Sequence, residues 1–240
     1  MRLWRFDMPF VVGLLVVATF VLSILAAILG RNGMPIAAYG LLAPKLVWQG
    51  QVWRLVTWQF FELEPIGLIF SCALLYWFGR DLCGAWGWRK FLGVYFGFVA
   101  TIGVLVCLIG QFVWHDINDG VYFGAWPIAE ALTIAWASLF PDREILFFFV
   151  IRANGKILIA LTIGATLLWA AFSGVAVMLP HFLAEGLALI YMGQMRRFYL
   201  KWKLNRLQNQ KKKYVANVIR LDRAERRDDE DDPDKPKYMN

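Results

Sequence analysis

The sequence predicts an all-α membrane protein of six transmembrane helices, and three observations carry that prediction. Hydrophobic residues make up 59% of the chain and aromatic ones 16%, with a mean hydropathy of +0.51. That is an apolar excess over the composition of ordinary soluble domains. The apolar residues gather in runs near the length of about 20 residues that hydrocarbon demands of a helix. Lysine and arginine favour alternate connections between those runs, the pattern that sets topology in a bilayer.

The first run extends from Pro9 to Gly30 behind Arg2 and Arg5. It is too long for the apolar core of a signal peptide and no small-residue cleavage site follows, so a retained span is expected. Residues 31–65 form a long loop punctuated by Pro35, Gly40, Pro44 and Gly50. Its Val47, Trp48, Val52, Trp53, Leu55, Val56 and Trp58 predict short helices lying among lipid headgroups. Further spans are expected over 66–84, 91–110, 121–140, 156–178 and 180–195, with the connection 141–155 skimming the interface through Phe147, Phe148 and Phe149.

Arg89 and Lys90 lie between the second and third runs. Arg143, Arg152 and Lys156 lie between the fourth and fifth, and Arg196, Arg197, Lys201 and Lys203 follow the sixth. Of the opposite connections the first holds Arg31, Lys45 and Arg54 and the others none, so both termini are expected in the cytoplasm. The domain reading is a membrane domain of 1–196 and a tail of 197–240. The tail begins as a basic helix, and 196–213 is expected to meet anionic lipid headgroups. It ends in the acidic, proline-bearing RRDDEDDPDKPK, which is expected to be disordered. The net charge of +7 points to a membrane surface and not to nucleic acid.

No metal or cofactor motif emerges. Cys72, Cys83 and Cys107 lack metal or redox spacing and are expected to be buried small hydrophobes. His115 with Asp116 and Asp119 is read as a solvated loop, not a metal site.

Several segments together resemble the rhomboid family. They are GQVWRLVTWQFFE with its pair Trp53 and Arg54, LLYWFGRDLCGAWGWRKFLGVYFG, GAWPIAEALTIAWASLFPDREILFFF, and HFLAEGLALIYMG beginning at His181. The resemblance covers about residues 10–196. It implies a rhomboid-like bundle with an interfacial first loop, in which Trp53 and Arg54 stabilise the loop fold. Rhomboid proteases use a serine–histidine dyad with the serine in Gly-x-Ser-Gly. Here that stretch is Gly124, Ala125, Trp126, Pro127. An indole has no nucleophilic oxygen, so acyl transfer by the family's route has no starting point. Pro127 also removes an amide that an oxyanion would use. The family's second-span histidine and asparagine are replaced by Gly67 and Ser71, and only His181 is retained. Ala184 and Ala188 stand where the family favours glycine, preserving close helix approach.

The expectation is therefore a kept fold and no enzymatic activity. Inactive rhomboid relatives act as adaptors, so the resemblance implies binding of other proteins' transmembrane helices. The alternatives are a structural subunit of a larger membrane complex and an active intramembrane serine protease. A substitute nucleophile among Ser71, Thr133, Ser138 and Ser173 is disfavoured, because hydroxyls in spans commonly bond back to their own helix. Glu130, His181 and Glu185 remain as ionisable groups at membrane depth, where such groups face the bundle interior. Glu185 lies one turn after His181, and Glu130 is expected within hydrogen-bonding reach of that imidazole. The absence of transit, retention or lipidation signals suggests a bacterial inner membrane.

Overall fold

The computed structural model describes residues 9–147, 151–195, 197, 204, 207 and 208. The chain divides into two compact units, 1–192 and 193–240. In the second unit the described residues, 193–195, 197, 204, 207 and 208, are helical. The rest of the expected basic helix and acidic tail lies outside the described residues.

Among the described residues, four helices of the first unit are long and apolar enough to cross a membrane. Helix α1 (Pro9–Arg31) holds 23 residues without a charge before Arg31, a length of roughly 34 Å at the helical rise. Three short helices follow: α2 (Ile36–Gly40), α3 (Pro44–Trp48) and α4 (Arg54–Thr57). Helix α5 (Pro65–Trp86) starts on a proline, whose missing N–H costs nothing in a first turn. A single residue, Gly87, separates it from α6 (Trp88–Phe112). Gly87 has φ 81° and ψ 152°, a conformation open in practice to glycine alone. Helix α8 (Gly155–Ser173) is capped by the Asn154 side chain, which accepts a hydrogen bond from the Ile157 amide at 3.0 Å. Helix α9 occupies residues 179–195. Of these, α1, α5, α6 and α8 are the four long apolar helices.

Helix α7 (Trp126–Leu139) departs from the expected fourth span of 121–140. It has 14 residues, roughly 21 Å, less than the hydrocarbon thickness. Every residue from Pro127 to Ala137 is buried. A helix apolar all round belongs in the middle of a bundle, and α7 packs against α5 and α8. The residues before it are withheld from the helix by tertiary pairing. Leu42 and Tyr122 exchange backbone hydrogen bonds at 2.9 and 2.8 Å, and the Gly124 amide donates to the Trp58 carbonyl at 3.2 Å. The expected fifth span also stops short, at Ser173, where Gly174 takes φ 89°. The connection after α7 carries a short antiparallel pair, β1 (Ile145–Phe147) with β2 (Ile151–Ala153). Phe148 and Phe149 lie outside the described residues. Cys72, Cys83 and Cys107 are all buried.

The first loop is held down by its own polar groups. Arg54 is 2% exposed; its Nη1 donates to the Leu41 carbonyl at 2.6 Å and its Nε to Gln51 Oε1 at 2.7 Å. Burial lowers its pKa from the ordinary arginine value. Trp53 stays half exposed, with its indole N–H donating to the Tyr39 carbonyl at 3.0 Å. The pair therefore bonds to loop backbone, at Tyr39 and Leu41. Ser23 of α1 ties the same loop down, donating to the Phe60 carbonyl at 3.1 Å and accepting from the Glu62 amide at 2.8 Å.

Candidate functional site

A buried polar cluster gathers at the start of α7. Glu130 stands one turn into that helix, and both of its oxygens are engaged. The Trp126 indole donates to Oε1 at 2.7 Å, and His181 Nδ1 lies 2.8 Å from Oε2. Trp126 and Glu130 meet because a four-residue separation puts them on one helix face. His181 reaches them from the first turn of α9. Glu185, one turn further on, has its Oε1 2.8 Å from the Thr166 hydroxyl oxygen of α8, which also lies 3.4 Å from Glu130 Oε1. The residues expected at membrane depth from the sequence, Glu130, His181 and Glu185, are thus brought together.

Two members were not singled out from the sequence. Thr166 is 3% exposed and sits at the centre of the cluster. Its signal is a stripe: Gly155, Leu158, Thr166 and Ala170 are the buried residues of α8 and share one face. Glu62 is 8% exposed and closes the very stretch that carries Trp53 and Arg54. A Cβ placed on Gly67 would stand 3.2 Å from the Glu62 carboxyl carbon, and one on Gly124 would stand 2.4 Å from its Oε2. The carboxylate therefore fills a notch that exists because both positions lack side chains. Gly124 additionally takes φ 98°, which disfavours any other residue. Burial raises the Glu62 carboxyl above its ordinary range, opposed by the Glu64 and Leu63 amides and more weakly by His181.

Trp126 is half-buried and meets the edge of Phe70, ring centroids 6.2 Å apart. Pro127 occupies the first turn of α7 and is buried. Gly67 lies in the first turn of α5. Ser71 is fully buried, and its hydroxyl donates to the Leu68 carbonyl at 3.3 Å. Thr133 similarly donates to Ala129 at 2.7 Å. Ala184 and Ala188 are completely buried on α9. On the loop at 115–119, Asp119 pairs with Lys45 and Asp116 accepts from the Trp114 indole at 3.2 Å. Among the described residues no group of histidine, cysteine and carboxylates is arranged to hold a metal ion.

At the other end of α7, Trp136 donates its indole N–H to Asp81 Oδ2 at 2.9 Å. Arg143 reaches the same oxygen at 3.1 Å while lying over the Phe140 ring. This network joins α5 to the exit of α7.

Residues 13–209 match the family described as "Eukaryotic integral membrane protein (DUF1751)". The chain belongs to that family. The DUF1751 family is rhomboid-like, in agreement with the motifs that suggested a rhomboid-like bundle. A stretch of 99 residues is also 29% identical to Rhomboid-like protein 19 of Arabidopsis thaliana. The match covers 39% of this chain and 33% of that relative, so the chain spans about a third of the relative's length. The family description corrects one expectation: DUF1751 is eukaryotic, which removes the support for a bacterial inner membrane.

Proposed function

We propose that this DUF1751 protein is a non-catalytic, rhomboid-like membrane protein that binds the transmembrane helices of other proteins as an adaptor. The single observation that carries the reading is the state of Trp126. The residue in the nucleophile's place is an indole hydrogen-bonded to Glu130, and Glu130 also engages the histidine that would serve as base. A dyad needs a nucleophile against the imidazole; here a carboxylate stands there instead. Ser71 and Thr133 bond to their own helices, which supports the absence of a substitute. The Glu62 carboxyl group also fills the notch beside Gly67 and Gly124, close to where a developing oxyanion would need donors.

In this reading six helices form the bundle, with α7 and α9 enclosed enough to carry polar residues. Both termini face the cytoplasm, and residues 196–213 rest on anionic headgroups.

The test has two arms. Purified protein, with an active rhomboid as control, is exposed to a fluorophosphonate and to a model transmembrane substrate; neither labelling nor cleavage is expected, and either one overturns the reading. Photo-crosslinkers on α5 and α8 in native membranes should then trap varied membrane-spanning proteins. Capture of the same stoichiometric partners through detergent would identify a fixed complex subunit in place of an adaptor.

A further inference from the structure

The hydrogen bonds of the cluster do not balance if every carboxyl is ionised. Thr166 Oγ1 lies 2.8 Å from Glu185 Oε1, 3.4 Å from Glu130 Oε1 and 3.3 Å from the Thr162 carbonyl. A hydroxyl has one proton to donate and lone pairs to accept with. With both glutamates charged, three acceptors would compete for that proton, and two like charges would lie buried with one hydroxyl between them. Like charges sharing a buried site resist joint ionisation.

The donors already present decide which group is charged. An indole N–H donates and never accepts, so Glu130 Oε1, which takes the Trp126 proton, carries none. Its Oε2 faces the His181 Nδ1. With the tautomer that carries its proton on Nδ1, His181 supplies a second donor, and donors on both oxygens favour the ionised carboxylate. Among the described residues Glu185 has no such pair of donors; its Oε1 meets the hydroxyl of Thr166, which is free to accept.

We propose that Glu185 is protonated and donates to Thr166 Oγ1, which passes its own hydrogen on to Glu130 Oε1 or the Thr162 carbonyl. The result is a proton-held clasp joining α9, α8 and α7, anchored on ionised Glu130 against His181. Loss of that one proton leaves two like charges across Thr166 and opens the clasp, making it sensitive to alkaline pH. The titratable groups facing it are Glu130 from α7, His181 one turn away on α9 itself, and Glu62 from the segment before α5. Helix α8 supplies the neutral Thr166. Among the described residues no lysine or arginine pairs with these carboxyls. The inference stands apart from the adaptor reading, and the fluorophosphonate result leaves it unaffected.

Infrared spectra of the full chain in lipid nanodiscs, in light and heavy water, test it. The carbonyl band of a protonated, buried carboxylic acid is expected near neutral pH. It should vanish in Glu185→Gln, persist in Glu62→Gln, and shift in Thr166→Val. It should also fade reversibly as pH rises. Absence of the band from folded wild-type protein overturns the proposal, as does its survival in Glu185→Gln or its loss in Glu62→Gln. If Glu185→Gln does not fold, Thr166→Val decides alone, since an unchanged band there means that the proton lies elsewhere.

Discussion

Helix α7 is fastened at both ends by a tryptophan donating to a carboxylate, yet the two fastenings are built differently. At its start Trp126 meets Glu130 of the same helix, and Glu130 carries His181 on its other oxygen. The Glu130 side chain is 9% exposed and the His181 side chain 16%. At its exit Trp136 crosses to Asp81 of α5, which shares an oxygen with Arg143. There the side chains are 26% and 57% exposed. Water can reach Asp81 and Arg143 at the exit, although Trp136 itself is buried, whereas the Glu130 carboxyl at the start is closed to it. The ion pair at the exit is therefore expected to contribute less than the buried pair at the start.

Truncating Glu130 tests the buried end most severely. Glu130→Ala strips the acceptor from both the Trp126 indole and the His181 imidazole, so a loss of about 3–5 kcal/mol is expected. Reversible unfolding in mixed micelles measures it; a loss below about 1 kcal/mol would erase the distinction between the ends. Next in size is the coupling between partners. Glu130→Gln and His181→Ala, singly and together, should show an interaction energy of about 0.5–3 kcal/mol. Simple additivity would mean that the contact contributes nothing. The smallest effect belongs to the exit. Arg143→Ala should cost about 0.2–1 kcal/mol, as exposed ion pairs do, and the difference from wild type should shrink with added salt. A cost matching that of Glu130→Ala would show that exposure does not separate the two ends.

Much of the bundle is legible residue by residue. Helices α1, α5, α6 and α8 announce themselves because a span needs little more than length and apolarity. The start of α7 does not. Val121–Ala125 continue an acceptable apolar pattern, and the pairing of Tyr122 with Leu42 and of Gly124 with Trp58 holds them out of the helix. The β1–β2 pair is similarly invisible as a local pattern, since three-residue strands have no periodicity to detect. In the site, Glu130, His181 and Glu185 are conspicuous because charge is rare in apolar helices. Glu62 is not, because a glutamate in a loop is ordinary until Gly67 and Gly124 are seen to make room for it. Thr166 is hidden by the same ambiguity, since a threonine in a span usually satisfies itself on its own helix.

The sequence by itself determined that this chain is a rhomboid-like membrane protein. Residue chemistry and apolar run length are local properties and need no partner. Only the tertiary structure decided which polar groups meet, because hydrogen bonds across α7, α8, α9 and the first loop depend on how closely distant segments approach. The glycines at 67 and 124 set one of those approaches, and their effect on Glu62 becomes visible only once the chain is folded.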